Sequence, residues 1–387
     1  MTSRLTRRIP YSELGKSTKV NSRKKADIQL INSRIGWKRV NVPGKREFSV
    51  EEYYSRQTIL KEFGGKGQAK LKHSKVAVIG LGGLGTVSSL YLTLAGVGHL
   101  RLIDQDTVEL ANLHRQILYD PADLGYPKVE AAAKRLNQMN PTVKVEPVPE
   151  NFNVYNGEKL LSGIDCVVDG LDNMRSRYLV NRFCAKLGIP YVFGAAIGIE
   201  GNLSVFQPPE TPCLECFLPD VDDAFLEGCD VRGVLGATAG IIGTMQAMET
   251  VKVLAGMGST LKGKLMICDF ADMYFSTIDI FRRPGCMACT GGSVVSNTTK
   301  RVAWLCGRNT ANVNPEKPWR ISLNDAYLAV KKEFKVRLKS RFAVIFGYKD
   351  FEITLFNGGR MLIKNVDSEK KALEVYGEIR KRLSDRR

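Results

Sequence analysis

No apolar run in this chain approaches the roughly 18–20 residues needed to cross a bilayer, and the first thirty residues are basic and polar, without an apolar h-region. A membrane span and a secretory signal are therefore not expected. No G-x-x-x-x-G-K-[ST] match occurs, so a nucleotide would not be held by a P-loop. There is no internal repeat and no low-complexity segment, which sets aside solenoids and propellers. A disulfide framework is also unexpected. Four of the nine cysteines fall in two C-x-x-C pairs, a usage that suits metal-bound and free thiols in a reducing, cytoplasmic setting.

What is present is unevenly placed. The 387 residues carry a net charge of +17, yet residues 47–299 are at −5 while residues 1–46 and 300–387 each hold +11. Basic ends of this kind suit an acidic protein partner or nucleic acid, or serve as solvated surface. Residues 1–46 are charge-rich with little apolar periodicity and read as a flexible arm. Residues 47–299 read as the main domain, and residues 300–387 as a linker and a small basic α+β module suited to partner docking.

Apolar strand-like runs "KVAVIG", "HLRLID", "VKVEPV" and "IDCVVDG" alternate with helical stretches at 84–96 and 127–139. Such alternation predicts a parallel sheet with helices on both faces. Strand-rich 190–208 and an apolar, glycine-spaced helix at 233–256 follow. In the tail, "FAVIFGY" and "EITLFN" read as strands, "NGG" as a hairpin turn, and "DSEKKALEVYGEIRKRL" as a helix capped by Asp367 or Ser368. The expected fold class is α/β: a Rossmann-like, mostly parallel sheet extended by further strands and stapled by zinc, with a small C-terminal α+β module.

Gly80, Gly82 and Gly85 form G-x-G-x-x-G between a strand and a helix. Glycines permit the tight turn and close phosphate approach, and the helix N-terminus supplies amide donors and partial positive charge. Asp104 ends the next strand, where a carboxylate accepts ribose hydroxyls. A nicotinamide dehydrogenase would look the same so far. Beyond the loop, "DQDTVELANLHRQ" brings Asn112, Arg115 and Gln116, and "GYPKVEAA" brings Lys128 to a helix start. Two cations near the phosphates have little use in hydride transfer. They suit a reaction in which an α-phosphorus gathers charge and pyrophosphate departs. Asp169 and Asp172 in "VVDGLDN" offer a carboxylate for Mg²⁺.

Over these residues the chain resembles the ubiquitin-activating enzyme superfamily, in its compact ThiF/MoeB-like branch. The matching stretches run from "YYSRQ" (53–57) through "GLGGLG", "DTVELANLHRQ", "GYPKVEAA", "DGLDNMRSRYLVN" and "CLECF" to "GCMACTGG". The resemblance implies ATP- and Mg²⁺-dependent adenylation of the C-terminal carboxylate of a ubiquitin-like or sulfur-carrier β-grasp protein. By position it implies a nucleotide site of Gly80, Gly82, Gly83, Gly85, Asp104, Asp106, Asn112, Arg115, Gln116, Lys128, Asp172 and Asn173. It also implies a homodimer in which Arg56 reaches the neighbouring subunit's site. Ala111 stands where relatives often carry serine. An activator that acts on tRNA is the second reading, and the basic ends leave room for it.

Cys213/Cys216 and Cys286/Cys289 are two C-x-x-C knuckles whose four thiolates suit a closed, structural Zn²⁺ site. Cys229, in "FLEGCDVRGVLG", takes the place of the thiol that in the resembled family acts after adenylation; the resemblance leaves open whether a thioester then passes to a downstream carrier enzyme or the activated tail takes up sulfur as a thiocarboxylate for cofactor or tRNA thiolation. Cys306 is the next candidate thiol. Cys166, Cys184 and Cys268 lie in apolar contexts and are expected in the core.

Overall fold

Runs such as "KVAVI" and "CVVD" are apolar at nearly every position, as strands covered on both faces must be. The computed structural model describes residues 48–223, 232–290, 301–305, 309–319 and 321–384. Two helices, α1 (Val50–Thr58) and α2 (Gly64–His73), precede the first strand. Then β1 (Lys75–Ile79), α3 (Gly83–Ala95), β2 (His99–Ile103), α4 (Lys128–Met139), β3 (Lys144–Val148), α5 (Gly157–Leu161), β4 (Cys166–Asp169), α6 (Met174–Leu187) and β5 (Tyr191–Ile197) follow in alternation. β6 (Glu200–Phe206) turns back on β5, and α7 (Leu214–Phe217), α8 (Gly236–Ala255), β7 (Lys264–Asp269) and β8 (Tyr274–Asp279) complete this part.

The sheet order is β3-β2-β1-β4-β5-β6-β7-β8. The first five strands are parallel and the last three antiparallel. One face buries Leu92, Leu100, Leu102, Val129 and Leu136; the other buries Ile79, Leu161, Phe183, Tyr191 and Phe206. Strand order reverses between β1 and β4, so the crevice beyond their carboxyl ends is where such folds bind ligands.

The expected extension beyond the parallel strands is present. β7 and β8 carry it, although no sequence signal singled them out. β8 exposes Tyr274, Phe275 and Ile278, so it lacks the polar-out alternation that marks a half-buried strand. Cys166, Cys184 and Cys268 are buried as expected.

The tail holds β9 (Val302–Trp304), β10 (Thr310–Val313), α9 (Leu323–Val330), β11 (Val336–Lys339), β12 (Ala343–Tyr348), β13 (Phe351–Phe356), β14 (Met361–Lys364) and α10 (Glu369–Ser384). Its antiparallel order is β11-β12-β13-β14-β10-β9. α10 lays Ala372, Val375, Tyr376 and Ile379 on Val344, Phe346, Ile353 and Ile363. Ser368 is the residue that caps it, its Oγ accepting from the Lys371 amide at 3.3 Å.

Candidate active site

The glycine loop lies at the switch point. Gly80 has φ +89°, and a Cβ there would stand 2.4 Å from the Gly170 carbonyl oxygen; one on Gly85 would stand 1.9 Å from the Gly80 oxygen. The loops after β1 and β4 therefore touch through backbone alone. A Cβ on Gly82 would meet nothing nearer than 3.7 Å, so its open side faces free space over the N-terminus of α3.

Asp104 follows β2. Its Oδ2 accepts from the Leu81 amide at 2.6 Å and its Oδ1 from the Asp106 amide at 2.7 Å, which ties the carboxylate to the glycine loop. Burial raises its carboxyl, and the Lys128 ammonium opposes that rise. Lys128, at the first position of α4, is buried and lies 2.8 Å from Asp106. Asp106 Oδ1 in turn accepts from the Thr107 amide at 2.8 Å.

Arg115 is half-buried, with hydrogen bonds to the Ala111 carbonyl (2.9 Å) and Asn112 Oδ1 (3.0 Å). A Cβ on Gly83 would lie 3.6–3.7 Å from Arg115 atoms, which places the arginine beside the start of α3. Asn112 and Gln116 are 1% and 3% exposed. Yet Asn112 Nδ2 and Gln116 Oε1 find no hydrogen-bond partner among the described residues. Orphaned buried polar atoms of this kind are rare without a ligand or water to complete them.

The two acids after β4 differ. Asp169 is fully buried, receiving Arg177 Nε at 3.0 Å, Tyr191 Oη at 2.8 Å and the Leu171 amide at 2.8 Å. It is committed to structure. Asp172 is exposed, with Asn173 Nδ2 on its Oδ1 at 3.0 Å, while Asn173 Oδ1 caps α6 by accepting from the Ser176 amide at 2.8 Å. Of the pair, only Asp172 has a carboxylate open to a cation. Removing one partner of the buried pair, Arg177→Met, should destabilise the protein by about 3–5 kcal/mol, read by urea unfolding. Asp169→Leu added to Arg177→Met should recover part of that loss.

Arg56 is exposed near the end of α1. Its helix is fixed through Tyr53 Oη on the Met139 carbonyl (3.3 Å) and Gln57 Nε2 on the Ala95 carbonyl (2.9 Å). Those are the C-terminal ends of α4 and α3, whose N-terminal ends carry Lys128 and Gly83. Thirteen residues of α3 span about 20 Å, so the helix holding Arg56 sits away from its own chain's glycine loop.

Cys229 and Cys306 lie outside the described residues. Their flanks are informative for Cys229. Asp223 accepts from the Met174 and Arg175 amides at 2.6 and 3.0 Å, next to Asp172. Gly236 packs so close to the His114 carbonyl that a Cβ would stand 2.7 Å from it. The described residues that flank Cys229 in sequence, Asp223 and Gly236, thus lie beside Asp172 and Arg115 respectively. Asp223 was not singled out from sequence; its position six residues ahead of Cys229 gives no hint that it caps a helix.

Cys213, Cys216, Cys286 and Cys289 converge, with all four Sγ atoms within 4.8 Å of one another. Three pairs stand 3.9, 3.7 and 3.3 Å apart. Tetrahedral thiolate ligation with bonds of about 2.3 Å sets S···S near about 3.8 Å, so the donors fit one metal ion. Burial pushes the Cys213 thiol up to about 12, and a cation is what would let it ionise. The first knuckle is tied to α6, where Asn181 Oδ1 accepts from the Leu214 amide at 3.0 Å and Arg182 pairs with Glu215 at 2.9 Å.

A glycine loop at a switch point, an acid after the second strand, a cation-bearing helix start and four converging thiols together define a doubly wound α/β protein with a four-cysteine cluster that could hold a metal ion. The chain belongs to the ThiF family, whose model matches residues 54–288. It is 38% identical over 281 residues to "Adenylyltransferase and sulfurtransferase MOCS3" of Drosophila sechellia, an alignment covering 72% of this chain and 61% of that one. It is 40% identical over 244 residues to "SAMP-activating enzyme E1" of Haloferax volcanii, covering 63% of this chain and 90% of that one. The chain spans about six-tenths of the length of the MOCS3 relatives. Among solved structures, E. coli MccB with ATP is similar at TM-score 0.54 and 21% identity, over 70% of this chain and 82% of that one, a likeness of fold. No helix among the described residues is long and apolar enough to cross a membrane.

Proposed function

We propose that this chain uses Mg·ATP to adenylate the C-terminal glycine carboxylate of a ubiquitin-like β-grasp protein and then takes the acyl group onto a cysteine. The carrying observation is the pair of orphaned, buried polar atoms on Asn112 and Gln116, beside Arg115 and the glycine loop, in a ThiF-family chain. Gly80, Gly82, Gly83 and Gly85 let the phosphates approach backbone amides at the start of α3. Asp104 accepts the ribose hydroxyls. Arg115 and Lys128 neutralise charge, and the Asn112 and Gln116 amides hydrogen-bond the nucleotide, as the modifier's carboxylate oxygen attacks the α-phosphorus and the bond to pyrophosphate breaks. Asp106 holds Lys128 in place, and Asn173 holds Asp172. Asp172 would hold Mg²⁺, which supplies further charge neutralisation at the phosphate oxygens.

The acyl-adenylate is a mixed anhydride. Attack by the Cys229 thiolate on its carbonyl forms the thioester and releases AMP. A downstream carrier enzyme would then receive the acyl group. Sulfur transfer to make a thiocarboxylate is the second reading, favoured by the MOCS3 relatives' name. This chain has no cysteine after Cys306, so within it the thiol chemistry falls to Cys229, then Cys306. The four-cysteine cluster would hold Zn²⁺ with no open position, a structural role.

A homodimer completes the site. The position of α1 far from its own glycine loop supports Arg56 acting in a partner's site, and Ile59, Leu60, Ile241 and Met248 are exposed apolar residues available to cover. For the modifier, exposed Tyr274 and Ile278, on one face of β8 at the antiparallel end of the sheet, offer an apolar acceptor surface. We place the enzyme in the cytoplasm.

The test is mass spectrometry of the intact protein after incubation with Mg·ATP and candidate modifiers. A reducible adduct of modifier mass is expected. Cys229→Ser should spare pyrophosphate exchange and lose the adduct; a persisting adduct would move the thiol role to Cys306. Exchange that needed tRNA in place of a protein would replace this reading.

A further inference from the structure

The C-terminal module is not a free appendage. It reaches into the segment that carries Asp104 and Asp106 through one side chain, Arg360. Arg360 is 6% exposed, and its guanidinium lies over the Phe356 ring, 3.6 Å from its centroid. Nη1 donates to the Gln105 carbonyl at 3.0 Å and to Asn312 Oδ1 at 3.1 Å, and Nη2 donates to the Pro149 carbonyl at 2.9 Å. Asn312, fully buried, adds a second tie from its Nδ2 to Gln105 Oε1 at 3.1 Å. Gln105 is the residue between the two acids, so its peptide is held from the module side.

The arginine is itself held rigidly. Its turn is locked by the Trp319 amide on the Gly358 carbonyl at 2.9 Å and by Tyr376 Oη on the Gly359 carbonyl at 3.1 Å. A Cβ on Gly359 would run into the Trp319 ring at 2.3 Å, so that turn cannot loosen by substitution. Lys364 adds an ion pair to Glu109 at 3.2 Å, and Glu130 Oε1 accepts from the Arg341 amide at 3.1 Å. The ties that leave the module, to Gln105, Glu109, Glu130 and Pro149, all land on residues 105–150, the stretch containing Asp104's neighbours and Lys128's helix.

A buried cation at this point also has an electrostatic consequence. Burial pushes the Arg360 guanidinium down to about 9, opposed by the carboxylates of Asp104, Asp106 and Glu150. It remains charged at neutral pH, a second cation near the two acids besides Lys128.

We propose that Arg360 is a positioning residue for the nucleotide site: by clamping the Gln105 peptide from the C-terminal module, it fixes Asp104 for the ribose of ATP. The proposal rests on the reading of Asp104 given above. A fork of donors locked by its own module specifies a backbone position more sharply than a single flexible ammonium would.

The experiment uses the full chain and three variants: Arg360→Met, Arg360→Lys and Asp104→Ala. KM for ATP, kcat of modifier-dependent pyrophosphate exchange, and the preference for ATP over 2′,3′-dideoxy-ATP are measured for each. Arg360→Met is expected to raise KM for ATP about tenfold, change kcat much less, and shrink the preference for ATP about tenfold. Arg360→Lys keeps charge but cannot span the three acceptors, so it should fall between; if Arg360→Met does not fold, Arg360→Lys decides by the same readings. A merely structural tie would lower the melting temperature and the active fraction while leaving KM and the preference at wild-type values, and that result overturns the proposal. If Asp104→Ala itself leaves the preference unchanged, the ribose reading falls and takes the proposal with it. If Asp104→Ala abolishes the preference while both Arg360 variants keep it, the proposal alone falls.

Discussion

Replacing Lys128 with alanine is expected to lower modifier-dependent ATP–pyrophosphate exchange per folded molecule by about two to three orders of magnitude, alongside a lower melting temperature because the Asp106 carboxylate loses its cation. The ammonium is buried at the first position of its helix, 2.8 Å from Asp106, where the helix N-terminus already favours anions. In that dry setting a cation aimed at developing phosphate charge is worth far more than on the surface. Its partner Asp106 keeps a hydrogen bond from the Thr107 amide when the lysine is gone, so exchange is read per folded molecule to separate the lost cation from lost stability. Lys128→Arg should recover little, because a planar fork does not replace a compact ammonium held by one carboxylate. Asp172→Ala should give a similar loss through weaker Mg²⁺ retention, partly relieved by raised Mg²⁺; an exchange rate within threefold of wild type for either variant would contradict the roles assigned.

The second large effect is on stability. Removing the metal ion by chelation, or changing Cys213 to serine, is expected to cost on the order of 4 kcal/mol or more and to lower the melting temperature by about 10 °C. Four thiols packed with their sulfur atoms within 4.8 Å of one another make little sense as neutral groups in a buried pocket, and two of them sit on a knuckle braced against α6. Exchange per folded molecule should stay near the starting value, since the clip is tied to the middle of α6 and Asp172 to its beginning. Zinc analysis of the purified protein should return one ion per chain. An unchanged melting temperature after complete chelation would contradict the structural assignment.

Much of this was legible before the structure, and the reason is local chemistry. The glycine loop and each C-x-x-C knuckle are short local patterns, and the alternation of apolar strands with helices repeats along the chain from β1 to β5. The parallel strands announce themselves because burial on both faces makes them apolar throughout. β7 and β8 did not, because β8 exposes large apolar side chains on both faces, and Ile267 of β7 is exposed as well, which blurs the alternation. Asp169 and Asp172 are three residues apart and identical in type; only the surroundings separate the buried partner of Arg177 from the exposed acid. Arg360 was invisible for a different reason. Nothing in "NGGRMLIKNV" marks an arginine that will contact a loop more than 250 residues away in sequence, since such a tie exists only once the two sheets meet. Asp223 and Arg177 belong to the same group.

The account stands or falls on whether ATP is cleaved at the α-phosphate in the service of a protein carboxylate. Radiolabelled pyrophosphate exchange into ATP, measured with and without an added β-grasp protein ending in glycine, tests this most directly. The account predicts exchange that requires both the modifier and Mg²⁺, and that vanishes when the modifier's terminal glycine is amidated. Exchange absent with every modifier offered, alongside a nicotinamide absorbance change without ATP use, would contradict it.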